Sequence, residues 1–141
     1  LMSWTDFDAG GVKYFSGMAT YHKTFQWDTP LDQDRQRVIL DLGDLAEVSE
    51  VWLNGKPLGV SWSQPHRFDI TELVEAGGNS LKVEVANTWS NRLTGDGVTG
   101  ETYTQTNIAV ANKFVTPWRD LPLKKSGLLG PVTIQVVDLF N

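Results

Sequence analysis

Asn54 and Gly55 interrupt the segment Val51 to Gly59, VWLNGKPLG, and stand between two apolar runs. A two-residue hairpin turn needs positive φ at its centre, and an Asn-Gly pair supplies it. The chain therefore doubles back here as an antiparallel pair, and whatever surrounds the turn has to be compatible with a sheet.

Period-two alternation extends that reading along the chain. Met18 to Trp27 sets Tyr21, Lys23, Phe25 and Trp27 against Thr20, His22, Thr24 and Gln26, a strand with one wetter face. Arg37 to Leu42 places Val38, Leu40 and Leu42 on one side before Gly43 and Asp44 turn the chain. In Val48 to Leu53 the core pair is Val51 and Leu53, so alternation points Trp52 to the opposite face. Pro57 to Trp62 returns from the hairpin, and Arg67 to Ile70 forms a short strand leading to Thr71. Thr71 is expected to cap a single helical turn through Val74, with Gly77 and Gly78 ending it.

Leu81, Val83 and Val85 alternate with Lys82 and Glu84 in a half-buried strand, and Val132, Ile134 and Val136 alternate with Thr133 and Gln135 in a closing one. From Trp89 to Lys125 the pattern gives way to Gly, Thr, Asn and Pro, which reads as long loops with one weak strand around Ile108 to Phe114. No window of 11 or more residues carries helical periodicity, and no segment repeats at a fixed period. The expected fold is all-β, an antiparallel β-sandwich of jelly-roll topology.

A chain of 141 residues suits one domain, so residues 1–141 are taken as a single β-sandwich module. Hydrophobic residues make up 40% and charged residues 21%, a globular composition with no run that would span a bilayer, so no membrane partner is expected. The net charge of -5 repels a phosphate backbone, and Arg35 and Arg37 are too few to override it, so no nucleic-acid partner is expected either. Absence of Cys rules out a disulfide framework and a thiolate metal site but leaves the compartment open. Leu1, Met2, Ser3 and Trp4 do not look like a natural amino terminus, and the chain reads as a piece excised from a larger protein.

Several blocks resemble known modules. Tyr14 to Gly17 with Ala19, Tyr21, Lys23 and Phe25 looks like the first strand of a galactose-binding-like domain of family 2 glycoside hydrolases. Leu40 to Gly43, Val51, Leu53 to Lys56, Leu58, Gly59 and Asp69 to Thr71 continue the likeness. Asn87, Trp89, Asn91 to Leu93, Gly95, Asp96 and Ser126 to Val132 resemble the terminal sandwich of family 106 α-L-rhamnosidase-like proteins, with Thr94 standing where that pattern carries an aliphatic residue. The resemblance implies a jelly-roll accessory domain of a larger, multidomain glycoside hydrolase. It also implies that the hydrolytic carboxylates lie in a separate barrel and that none of them is carried here.

The residues themselves agree with that division. Glycoside hydrolysis needs two carboxyl groups facing across a cleft, roughly 5 Å apart for retention or 6.5 to 9.5 Å for inversion, with one pKa raised. Asp6, Asp8, Asp41, Asp44, Asp96 and Glu101 are all nominees, and nothing selects a pair. His22 and His66 have no metal-ligand spacing. The resemblance suggests a structural calcium in a loop, for which Asp6 and Asp8 are the conceivable ligands; no other cofactor is required.

Six Trp residues supply flat apolar faces of the kind that stack on sugar rings. Trp62, Gln64 and His66 join such a platform to hydrogen-bonding groups, unless Trp62 simply fills core at its strand end. Trp89, Asn91, Arg92 and Asp96 form a second candidate binding cluster, in which either Arg92 pairs with Asp96 while Asn91 and Trp89 face a ligand, or the Arg92–Asp96 pair fixes a loop with no ligand at all. Trp118 completes either a binding rim or a dock against a neighbouring domain, and Trp52 joins the candidates as a Trp on the outer sheet face.

The expected function is a non-catalytic carbohydrate-binding or accessory module of a secreted, periplasmic or cell-surface bacterial hydrolase. Its partners would be a plant or microbial polysaccharide or oligosaccharide and the catalytic domain of the same polypeptide, and the module itself would be monomeric. The alternative is a structural module that packs against the catalytic domain without affinity for sugar.

Overall fold

A computed structural model describes residues 1–106 and 116–139, and the weak strand expected around Ile108 to Phe114 lies outside them. Nine strands are present among the described residues. They are β1 (Met18–Trp27), β2 (Gln36–Asp41), β3 (Asp44–Ala46), β4 (Val48–Leu53), β5 (Lys56–Ser61), β6 (Arg67–Asp69), β7 (Gly77–Ala86), β8 (Gly127–Gly130) and β9 (Thr133–Asp138). Two sheets of order β1-β7-β4-β5 and β6-β2-β9 form a sandwich, with β3 and β8 paired separately. All of these strand pairs are antiparallel.

Alternation decides which side chains fill the space between the sheets. Val51 and Leu53 of β4, Leu81, Val83 and Val85 of β7, and Val38 and Leu40 of β2 are buried and pack as one core with Leu42 and Ile70. Trp52 points to the outer face, as period two requires. There the Lys82 ammonium lies 3.5 Å from its ring centroid while also bonding Glu84 at 3.1 Å.

The hairpin forms as its turn residues dictate. Asn54 has φ 51° and Gly55 φ 78°, between the paired residues Leu53 and Lys56. Asn54 does more than turn the chain. Its Nδ2 donates to Leu73 O at 3.0 Å and to Asn79 Oδ1 at 2.8 Å, and its Oδ1 accepts from Ser80 N at 2.9 Å. The turn is thereby tied to the start of β7.

Other local expectations are corrected. Thr71 does not cap the turn: its hydroxyl accepts from Val38 N at 2.9 Å and donates to Asp69 Oδ1. Asp69 takes the capping role instead, accepting from Thr71 N at 2.9 Å. Gly77 and Gly78 open β7 rather than close a helical turn.

The larger departure is helical. A short α1 (Gly10–Lys13) precedes β1, and α2 (Ser90–Thr99) occupies a stretch that reads as loop. Thr and Gly have low helix propensity, and no side chain caps the start of α2. Packing overrides both. A Cβ at position 95 would stand 2.6 Å from Arg92 Nη2 and from Tyr14 Cβ, so Gly95 lets the helix approach Tyr14. Gly100, at φ 77°, ends the helix. Thr94 is buried in α2, and its hydroxyl has no hydrogen-bond partner among the described residues. This is the position where the rhamnosidase-like pattern carries an aliphatic residue.

Two stability changes are expected, both read by equilibrium denaturation. Asn54→Gly keeps the positive φ but removes three hydrogen bonds, and should cost about 1–3 kcal/mol. Thr94→Val removes a desolvated hydroxyl at constant shape, and should stabilise by about 1 kcal/mol.

Candidate functional site

The candidate site is built where α2 leaves the sandwich. Asn87, just after β7, accepts from Gly17 N at 2.9 Å and donates to Phe15 O at 2.8 Å and Ser126 Oγ at 3.0 Å. Asn91 donates to the same Ser126 Oγ at 2.9 Å and to Lys124 O at 2.7 Å, while its Oδ1 accepts from Lys124 N at 2.8 Å. Ser126 Oγ donates onward to Lys124 O. The first turn of α2 is thus fastened to the segment before β8, and Arg92 N adds a bond to Ser16 Oγ at 3.1 Å.

On the next turn Arg92 Nε donates to Asp96 Oδ1 at 2.8 Å, four residues on. The second carboxylate oxygen accepts from Tyr103 N at 3.1 Å and Thr104 N at 2.9 Å, so Asp96 folds the segment after the helix back over Arg92. The Arg92 guanidinium carbon then lies 4.8 Å from the Tyr103 ring centroid and 5.7 Å from that of Tyr14. A hydrogen bond to Glu101 raises the pKa of the Tyr103 hydroxyl.

These contacts create an open groove of about 390 Å³ lined by Ser16, Trp89, Arg92, Tyr103, Thr104 and Gln105. Two aromatic residues of this lining present large surfaces to solvent: Trp89 is 61% exposed and Tyr103 67%. Flat apolar faces beside hydroxyl, amide and guanidinium groups are what a sugar ring needs, since its C–H faces stack and its hydroxyls hydrogen-bond.

Of the residues nominated from sequence, the structure brings Trp89 and Arg92 into this groove and sets Asp96 behind them as the group that shapes it. Asn91 is 2% exposed, with its amide committed internally, and lies beneath the site. His66 is buried, and its Nδ1 shares a 2.7 Å hydrogen bond with Ser61 Oγ. Gln64 donates to Asp44 Oδ1 at 3.0 Å. Trp62 does not fill core: β5 ends at Ser61, and the ring beyond it is 75% exposed. Trp118 lies in the 3-10 turn Trp118–Asp120 against α2, its indole N–H buried without a partner among the described residues. Trp52 is covered on one face by Lys82.

Asp6 and Asp8 are both exposed, and among the described residues no group of three His, Cys, Asp or Glu could hold a metal ion. Asp41 pairs with Arg67 at 2.7 Å and accepts from Gly43 N, contacts that hold its carboxyl below the ordinary range. Ser16, Tyr103, Thr104 and Gln105 escaped the sequence reading. An aromatic residue in a Thr-rich loop was the sole hint, and the hydrogen bonds to Asp96 that place it connect groups seven and eight residues apart.

An all-β sandwich of antiparallel strands is the class of fold to which galactose-binding-like domains belong. The chain belongs to the glycosyl hydrolase 2 galactose-binding domain-like family, whose model matches residues 12–118. It is 39% identical over 97% of its length to a protein of Formosa agariphila that carries the name β-glucuronidase, of which it spans 13%. Its structure resembles that of a rhamnosidase from Novosphingobium sp. PP1Y, with TM-score 0.76, 35% identity, and coverage of 96% of this chain and 12% of that one. A β-glucuronidase from an uncultured Clostridium matches 61% of this chain and 15% of its own, with TM-score 0.52 and 27% identity. The chain thus corresponds to a small part of each of these glycosidases.

Proposed function

We propose that this domain is a non-catalytic module of a longer, exported glycoside hydrolase, and that it holds glycan in the groove between Trp89 and Tyr103. The observation that carries this reading is a pair of exposed aromatic residues, Trp89 and Tyr103, lining one concavity with Arg92, its remaining lining being hydroxyl and amide. Holding glycan beside a catalytic domain raises the local substrate concentration without any bond change in the module itself. The carboxylates support the non-catalytic assignment. Asp96 is committed to Arg92 and two backbone amides, and Arg67 holds the Asp41 carboxyl below the ordinary range, the opposite of the raised value an acid catalyst needs.

A second reading rests on a different surface. Met18, Ala86 and Val48 are cross-strand neighbours on the outer face of the four-stranded sheet, and exposed Val60 lies on the next strand opposite Glu50. Such an apolar stripe suits packing against another domain.

Titration of the chain with a panel of plant and microbial oligosaccharides, followed by tryptophan fluorescence and NMR, separates the two. The sugar-holding reading expects a saturable response that Trp89→Ala and Tyr103→Ala each weaken about tenfold, consistent with the loss of roughly 1–1.5 kcal/mol of ring contact. Trp62→Ala should leave it unchanged. A panel that binds nowhere, or binding that survives both groove substitutions, contradicts the assignment of the groove.

A further inference from the structure

A cleft of about 520 Å³, larger than the aromatic groove, lies between the sheets. It opens where β1 and β9, the outermost strands of their respective sheets, face each other. Tyr21, Phe25, Leu81 and Val83 form one wall, and Leu40 and Ile134 the other. β1 bonds β7 along all ten of its residues and has no partner among the described residues on its other edge. A long free edge beside an open apolar cleft has the form of a sandwich lacking one strand.

Lys23 indicates what would fill it. Its place in β1, between Tyr21 and Phe25 and paired with Leu81, puts it on the core-facing side. It lines the cleft and takes part in no ion pair among the described residues. Tyr21 stands next to it on that face. The Tyr21 hydroxyl accepts from Trp4 Nε1 at 2.6 Å and from Leu128 N at 3.1 Å, leaving its own proton for an acceptor. A lysine on a core-facing edge position discourages pairing with an apolar edge, and the same charge selects an acidic one.

We propose that the cleft is a docking site for an extended peptide segment that pairs with the free edge of β1. The peptide inserts alternate apolar side chains between the sheets and sets one carboxylate against Lys23 and the Tyr21 hydroxyl. A strand satisfies the edge N–H and C=O groups as well as the cleft, which a free acyl chain would not. A second copy of the domain is a poorer occupant. Antiparallel pairing of two β1 strands about their centre would bring Lys23 near His22 and Lys23 of the other copy.

The test uses the blocked peptide Gln-Val-Thr-Glu-Thr-Val-Gln and its twin with Lys in place of Glu, titrated into the chain with amide exchange read along β1. The proposal expects saturable protection of the β1 amides that do not bond β7, with the Lys twin at least fivefold weaker. Lys23→Glu should reverse that preference. Equal binding of the twins, protection elsewhere, or no protection overturns the proposal. So does a concentration-dependent dimer that protects β1 without peptide.

Discussion

The hydroxyl of Ser126 is the point on which the loop end of this domain depends. It accepts from Asn87 Nδ2 and Asn91 Nδ2 and donates to Lys124 O, while its backbone N–H bonds Ser3 Oγ and its carbonyl accepts from Trp4 N. Five stretches of chain meet at one residue: the amino-terminal segment, the entry to β1 through Asn87, the exit from β7, the first turn of α2 and the lead into β8. A buried polar network of this kind specifies geometry because each unpaired member would carry a desolvation penalty of about 1–3 kcal/mol. The apolar core tells the two sheets to stack, but it does not say where α2 should lie. Ser126 and its two asparagines do.

The groove follows from that placement through a second joint. With its first turn fixed, α2 carries Arg92 to the surface beside Tyr14, where Gly95 permits the close approach. Asp96 then holds Arg92 with one oxygen and the returning backbone at Tyr103 and Thr104 with the other. One carboxylate thereby sets both the cation and the ring above it. The aromatic surfaces are exposed, yet their positions are determined by buried or partly buried groups beneath them.

The sandwich was largely legible in the amino-acid sequence, and the groove was not. The period-two runs at Met18 to Trp27 and Val48 to Leu53 coincide with β1 and β4, because one-sided burial leaves a direct trace in alternation. The Asn54-Gly55 turn was readable for the same local reason, although the grip of Asn54 on Leu73, Asn79 and Ser80 was not. α2 has Gly at positions 95 and 97 and Thr at 94 and 99, so its helicity comes from tertiary contacts rather than propensity. Trp89 and Arg92 stood out as residue types suited to sugar, but Tyr103 enters the groove only because Asp96 folds it back. His66 and Asn91 look like ligand-facing polar residues in one dimension and are internal hydrogen-bonding groups in three.

The central claim is that the Ser126 network, rather than the sheets, positions the helix and the groove. Amide hydrogen exchange on the native chain and on Ser126→Ala tests it most directly. The account predicts a selective loss of protection in α2 and in the backbone N–H groups of Tyr103 and Thr104, with β4 and β7 retaining theirs. Uniform loss across the sandwich, or unchanged protection in α2, would contradict it.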